Sequence, residues 1–199
     1  ETQMERASMF DKLAGKKVRF NIVKGAMTAL GLYAQLYKYS DSKNVLIFDD
    51  CDSVFTDDLA LNILKAALDS GKTRRICWNS DSRLLREEGI PNTFNFNGSA
   101  IFITNLKFEA TRGKLKEHLN AILSRCHYLD LTMDTMREKV LRCKQIVADG
   151  MLNEYDFTAE EQNELMSFLL DNKEKMREIS LRMVTKLADL KKSMGGDKW

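Results

Sequence analysis

The sequence is poor in the residues that mark zinc-binding and secreted proteins. Its four cysteines, Cys51, Cys77, Cys126 and Cys143, lie far apart and form no CxxC pair, and the chain has only two histidines. A structural zinc site needs four such ligands at close spacing, so none is predicted. Cysteines without a disulfide-type spacing favour a reducing compartment, and we therefore expect the protein in the cytoplasm.

Long apolar runs, prolines and an excess of one charge are also missing. No apolar run approaches the ~20 residues that span a bilayer, so we expect no membrane partner. Pro91 is the single proline, and no low-complexity segment suggests a flexible linker. The net charge of +2 neither predicts nor excludes a nucleic-acid partner.

Strand and helix patterns alternate in the first two thirds of the chain. Short apolar or alternating runs predict strands, and apolar residues at helical spacing predict the helices between them. This order predicts a largely parallel sheet with helices on both faces, which is a three-layer αβα core. The predicted strands are 17–23, 44–48, 99–104 and 128–131, with a β-ribbon formed by 74–78 and 93–96.

The strand patterns stop near residue 131. Helices are predicted over 133–147, from a capping box at Thr158 to Glu161, and over 176–190. We therefore predict an α/β domain over 1–131 and a small all-helical domain over 132–199.

Polar side chains follow two of the apolar strands. Asp49 and Asp50 come directly after one buried run, and Asn105 follows another. Ligands of open α/β sheets bind at the carboxyl ends of the strands. Carboxylates placed there can hold Mg²⁺ and orient an attacking water, although two aspartates can equally begin a solvated loop. Asn105 likewise has an alternative role, in an Asx-turn.

Four segments resemble, in chain order, the motifs of AAA+ ATPases. Residues 46–52 resemble the Walker B strand, and residues 101–105 resemble the sensor 1 strand. Residues 124–126, at a helix end, resemble the position of the arginine finger, and residues 180–182 resemble sensor 2. The resemblance covers about residues 18–192 and points to the phage-encoded branch of the family.

The resemblance implies a role for each matching residue. Asp49 would organise Mg²⁺, Asp50 would be the catalytic carboxylate, and Asn105 would position the attacking water. Arg125 would act on the nucleotide of a neighbouring subunit in a homo-oligomeric ring, and Arg182 would close the helical lid on ATP. The implied protein is an ATP-hydrolysing motor or remodelling subunit in the host cytoplasm, with DNA or RNA as a possible substrate. Asp50 departs from the glutamate that the family usually has, which puts the efficiency of hydrolysis in question.

The glycine-rich phosphate loop of that family is missing. Residues 66–73 fit a relaxed form of its pattern, but they end a helix and precede a strand, so Gly71 is better explained as a helix C-cap. Since backbone N–H groups of such a loop hold the phosphates, we expect this chain alone to bind ATP poorly. We also expect a strand-GxxxxGK[ST]-helix unit upstream, or another segment that completes the sheet.

A haloacid-dehalogenase-like phosphatase is an alternative enzyme. Residues 50–54 satisfy the DxDx[TV] nucleophile pattern through Asp50 and Asp52, and Thr104 resembles the second motif of that family. About forty residues precede the nucleophile strand, which is usually the first in that fold. Asp130 and Asp134 are the best candidates for its acidic pair.

A non-catalytic nucleic-acid-binding module is the third hypothesis. The predicted ribbon carries Arg74 and Arg75, and Arg83 and Arg86 lie between its strands, where they could contact phosphates while Trp78 stacks on a base. The competing interpretation is a sheet extension in which Trp78 is packed.

Overall fold

The computed structural model describes residues 18–106, 108 and 113–194. The chain divides into two compact units, Glu1–Tyr128 and Leu129–Trp199. The described residues form a mixed α/β protein with a small parallel sheet and many helices, and each unit has a hydrophobic cluster of its own. Within the described ranges, every helix is too short or too polar to traverse a lipid bilayer.

The first unit contains a three-stranded sheet, a two-stranded ribbon and five helices among its described residues. Their bounds are β1 (Phe20–Lys24), α1 (Ala29–Lys38), β2 (Val45–Asp49), α2 (Ser53–Thr56), α3 (Asp58–Ala67), β3 (Arg75–Cys77), α4 (Arg83–Glu87), β4 (Thr93–Asn95), β5 (Ser99–Ile103) and α5 (Lys114–Leu123). Lys17, the first residue of the predicted first strand, lies outside the described residues.

The three-stranded sheet is parallel, in the order β1-β2-β5. Its register places Lys24, Asp49 and Ile103 side by side at the carboxyl ends of their strands. The residues that follow these three strands therefore share one edge of the sheet, with the end of β2 in the middle.

One face of this sheet packs on helices. Leu46 and Phe48 of β2 share a hydrophobic cluster with α1 and α3, and the Phe48 and Phe102 rings stack with their centroids 5.0 Å apart. Right-handed connections that move along a sheet in one direction place their helices on the same face. Accordingly α1 packs on α3, and α5 packs on α2 and α3.

The other face of the sheet is less covered. Ile101 and Ile103 of β5 point away from the helices, and 45% and 50% of their surfaces are exposed. Parallel strands are normally buried on both faces. The described residues therefore supply one helix layer, and the predicted three-layer core stays a prediction.

The predicted strand at 128–131 is wrong. Its described residues form no strand, and Leu129 and Leu131 are 79% and 82% exposed. A strand is stable only when it pairs with the edge of another. None of the strands in the described part of the chain pairs with this segment.

The β3–β4 ribbon is anchored on α1. The Tyr33 ring lies 5.6 Å from Trp78 and 5.1 Å from Phe94, and its hydroxyl donates to the Pro91 carbonyl at 2.8 Å. Burial raises the pKa of Tyr33 to about 12. Arg74 lies over the Phe96 ring and donates to backbone carbonyls of the first unit, so it holds the ribbon in place.

Every element of regular secondary structure in the described part of the second unit is a helix or a helical turn. The unit contains α6 (Met136–Ile146), a π-helical turn (Val147–Met151), a 3₁₀ turn (Asn153–Tyr155), α7 (Ala159–Asp171) and α8 (Leu181–Met194). The predicted capping box of Thr158 and Glu161 is confirmed, and Thr135 forms a second one with Glu138. The backbone and side-chain hydrogen bonds from Thr135 lower the pKa of Glu138.

The last helix begins later than its apolar spacing predicts. The Ser180 hydroxyl accepts a hydrogen bond from the Met183 N–H at 3.2 Å and so caps the start of α8. Met176, which the periodicity assigns to this helix, lies before it in a bend. The cap outweighs the hydrophobic pattern here because it satisfies an otherwise unpaired N–H group.

We predict that Gly98→Ala destabilises the first unit by about 1–3 kcal/mol, because the new methyl group would lie 2.4 Å from the Tyr39 carbonyl oxygen. Gly31→Ala is the matched control. Gly31 lies inside α1 and its methyl group would make only ordinary contacts with Thr28 and Met27, so the substitution should stabilise by about 0.5–1 kcal/mol. Urea unfolding followed by Trp78 fluorescence, in a Trp199→Phe background, measures both. Equal effects of the two substitutions would contradict the packing around Gly98.

Candidate active site

The segment after β2 is tied to both neighbouring strands. Side chains at residues 49, 51 and 53 contact the β1 side, and side chains at 50 and 52 contact the β5 side. This alternation is possible because β2 lies between β1 and β5 in the sheet. The segment thereby joins the carboxyl ends of all three strands into one polar surface.

On the β1 side, three side chains link the two chain segments. Burial raises the pKa of the Cys51 thiol, which keeps its proton and so remains a donor. The contacts are Asp49 Oδ2 with Lys24 Nζ (3.4 Å), the Cys51 thiol donating to the Val23 carbonyl (3.3 Å), and Ser53 Oγ exchanging hydrogen bonds with the Met27 backbone (3.1 and 3.2 Å).

On the β5 side, two carboxylates receive hydrogen bonds. The Asn105 amide donates to Asp50 Oδ1 at 3.0 Å, and the Thr104 hydroxyl donates to Asp52 Oδ1 at 2.5 Å. Asp50 and Asn105 are exposed, whereas Asp52 and Thr104 are half-buried. The pair that faces solvent can meet a substrate, and the pair beneath it is part of the framework.

The backbone turns sharply at Asp50. Its φ of 54° lies in the left-handed region, which aspartate adopts more readily than most residues. Its N–H donates to the Ile103 carbonyl at 3.0 Å, so the turn continues the pairing of β2 with β5. This turn places the Asp50 carboxylate beside Asn105.

The Asp49 carboxylate at this edge could hold a magnesium ion that keeps most of its water. No group of three or more histidine, cysteine, aspartate or glutamate side chains in the described residues forms a metal cage. Mg²⁺ is commonly held by one or two carboxylates together with water and substrate phosphates. The side chain of Asp49 is 20% exposed and can take part in such a shell.

The two candidate arginines lie in different units. Arg125 follows α5, and its guanidinium donates to the Ala121 carbonyl and to Ser124 Oγ, at 2.5 and 3.3 Å. Arg182 is exposed in the first turn of α8. The structure thus brings Asp49, Asp50 and Asn105 together, while Arg125 caps its own helix and Arg182 belongs to the helical unit.

Two residues of this edge were not assigned a role in an ATPase from sequence. Lys24 is paired with Asp49, and Thr104 is bonded to Asp52. Thr104 and Asp52 lie within the segments that resemble sensor 1 and Walker B, but only the phosphatase pattern implies a role for them. Lys24 could have been found from its place directly after the predicted strand 17–23, once the sheet order was known.

The phosphatase hypothesis gains little from this geometry. Thr104 has a single hydroxyl proton, which goes to Asp52, and its oxygen accepts from the Leu106 N–H at 3.0 Å. The hydroxyl is thus occupied within the protein. Asp130 accepts a hydrogen bond from the Thr132 N–H and belongs, like Asp134, to the second unit.

The ribbon's basic and aromatic residues are largely engaged in protein contacts. Trp78 is half-buried beside Tyr33, and Arg74 is bonded within the first unit. The two arginines of α4 are paired with acidic side chains, Arg83 with Glu87 at 2.6 Å and Arg86 with Asp81 at 3.2 Å. These contacts favour a sheet extension over a stacking platform.

Comparison with known proteins finds sequence similarity to a phage protein. No protein-family model matches the chain, and no solved structure matches it. An uncharacterized 36.7 kDa protein of Enterobacteria phage T4 is 38% identical over 176 residues. The match covers 86% of this chain and 54% of the relative, so the chain spans about half the length of that protein. The chain is therefore similar to a phage protein.

We predict that alanine and glycine have opposite orders of stability at two positions of the site. At Asp50, with its left-handed backbone, Asp50→Gly should be more stable than Asp50→Ala by about 1 kcal/mol. At Asp52, whose φ and ψ are −60° and −20°, Asp52→Ala should be more stable than Asp52→Gly by about 0.5–1 kcal/mol. Urea unfolding of the four variants measures both differences, and the same order at both positions would refute the turn at Asp50.

Proposed function

We propose that this chain forms the metal-organising and water-activating part of an AAA+ ATPase. The observation that carries the proposal is the contact between Asn105 and Asp50 at 3.0 Å, on the solvent-exposed carboxyl edge of a parallel sheet. A carboxylate and an amide placed together in this way can hold one water molecule between them. The order of the motifs along the chain supports the same assignment.

In the proposed reaction, Asp50 orients the attacking water and accepts its proton at a carboxylate oxygen. The Asn105 amide has two N–H groups, and one of them donates to Asp50. The second is left to donate to the water or to an oxygen of the γ-phosphate. Asn105 thus couples the position of the nucleophile to the position of the phosphate.

Asp49 would hold the magnesium ion through coordinated water. When bound, Mg²⁺ supplies positive charge that offsets the phosphate oxygens of ATP. Lys24, 3.4 Å from Asp49, offsets the charge of this carboxylate within the protein. The ion pair also limits how far the Asp49 side chain can turn away from the sheet edge.

The outer edge of β5 is the proposed place for a strand that carries a phosphate loop. Among the described residues no strand pairs with that edge, and Ile101 and Ile103 are half exposed beside it. A parallel strand added there would end next to Asn105, at the same edge as Asp50. Such a strand and the helix after it would also supply the second helix layer of the three-layer core.

The remaining parts of the proposal concern the assembly. Arg125 would exchange its contact with Ala121 for the nucleotide of the next subunit in a homo-oligomeric ring, and Arg182 would contact ATP from the helical lid. Similarity to a phage protein supports a role in the cytoplasm of an infected host. DNA or RNA is the proposed substrate class of the motor.

We predict that ATP hydrolysis depends on Asp50 in a chimaera in which this chain replaces its matching region of the T4 relative. Asp50→Asn keeps the shape but loses the proton acceptor, and should lower kcat by about 100-fold or more. Asn105→Ala should lower kcat by about 10- to 100-fold. Phosphate release measured with and without Mg²⁺ gives these values, and the T4 relative itself, assayed in parallel, shows whether the parent protein hydrolyses ATP.

The 199-residue chain alone provides the control. It should bind ATP weakly and release no phosphate from it. Release of phosphate from p-nitrophenyl phosphate by this chain alone, abolished by Asp50→Asn, would favour the phosphatase instead. Undiminished ATP hydrolysis in the Asp50→Asn chimaera would refute the proposed role of Asp50.

A further inference from the structure

The contact between Asp50 and Asn105 cannot fix its own geometry. Both side chains are exposed, and a solvent-exposed hydrogen bond between two flexible side chains is weak. Asn105 also lies beyond the end of β5, outside the ladder of backbone hydrogen bonds. Another interaction must therefore hold the chain after β5 in place.

The half-buried pair below it has the required properties. The Thr104 hydroxyl donates to Asp52 Oδ1 at 2.5 Å, and a hydrogen bond to a charged acceptor is stronger than one between neutral groups. The same oxygen accepts from the Leu106 N–H at 3.0 Å. One hydroxyl thus ties the backbone on the far side of Asn105 to the loop that carries Asp50.

The two side-chain contacts form successive links between the same two segments. Asp52 lies two residues after Asp50, and Thr104 lies one residue before Asn105. With the backbone hydrogen bond from Asp50 to Ile103, three links join residues 50–52 to residues 103–105. Asn105 is enclosed by links on both sides, so the direction of its side chain is set by its neighbours.

We infer that Asp52 and Thr104 are positioning residues that aim the Asn105 amide at Asp50. The inference rests on the proposed function, because the direction of the Asn105 amide matters there for placing the attacking water. Neither residue touches the reacting atoms in this mechanism. Their loss should therefore change the rate of hydrolysis more than the binding of nucleotide.

The first test uses NMR on the 199-residue chain and needs no activity. Asp50→Asn should shift the side-chain amide signal of Asn105, which Asn105→Asp identifies by removing it. Thr104→Val has nearly the same shape without the hydroxyl, and in that background the effect of Asp50→Asn on Asn105 should disappear. Thr104→Ser keeps the hydroxyl, so in that background Asp50→Asn should still shift the Asn105 signal.

Thr56→Val is the matched control. It removes a hydroxyl that donates to the Ser53 carbonyl near the same loop. This hydroxyl is not one of the links between residues 50–52 and residues 103–105. The effect of Asp50→Asn on Asn105 should persist there. Backbone NMR spectra of each variant show whether the fold is kept, and Asp52→Asn, which retains an acceptor oxygen, provides a second test of the same link.

The second test measures hydrolysis in the chimaera. Thr104→Val should lower kcat about 10- to 100-fold with KM for ATP within about twofold, and Thr104→Ser should restore most of the rate. An Asn105 signal that still responds to Asp50→Asn in the folded Thr104→Val chain overturns the inference, whatever the ATPase assay gives. If the NMR results are as expected but neither the chimaera nor the T4 relative hydrolyses ATP, the proposed function fails, and the positioning role for hydrolysis fails with it.

Discussion

The parallel register of β1, β2 and β5 is the constraint on which the candidate site depends. It aligns Lys24, Asp49 and Ile103 at one edge, so that the three following loops meet. A slip of one residue would turn every side chain of a strand to the opposite face. Phe48 would then leave the core, and the polar residues after β2 would lose both sets of partners. Packing of Phe48 on Phe102 therefore stabilises the site as well as the sheet.

The polar contacts after β2 depend on the apolar residues around them. Fixing the backbone of one residue costs about 1–2 kcal/mol, and a typical hydrogen bond returns a similar or smaller amount. The contacts of residues 49–53 alone would leave the loop barely ordered. Cys51, Val54 and Phe55 are buried in the first unit's core and hold the segment from below. The carboxylates can then remain exposed without the loop losing its shape.

Sequence reasoning found the strands of the site because their burial leaves a clear pattern. The apolar runs before Asp49 and before Thr104 each became a strand, β2 and β5, with bounds shifted by one residue at most. Neighbouring strands place their following residues together, and the contact between Asp50 and Asn105 follows from that adjacency. Which side chains pair at the edge depends on the turn at Asp50, whose left-handed backbone has no clear mark in the sequence.

The missing strand at 128–131 and the contacts of Arg74 have different physical explanations. The segment 128–131 has a strand-like composition but no neighbouring edge in the described residues, and strand propensity is expressed only through pairing. Arg74 was considered as a contact for nucleic acid, yet it binds carbonyl groups and an aromatic ring of its own unit. Long-range partners of this kind decide a residue's role, and no local pattern reveals them.

The charges at this edge explain why the proposed site needs more than its carboxylates. Asp49, Asp50 and Asp52 place three negative groups within four residues, and the donors to Asp50 and Asp52 are a neutral amide and a neutral hydroxyl. Lys24 lies beside Asp49 and is mostly exposed. A triphosphate would be repelled by such an edge unless cations lay between them. Magnesium and the lysine of a phosphate loop would provide that charge together, so metal binding and nucleotide binding at this site should be interdependent.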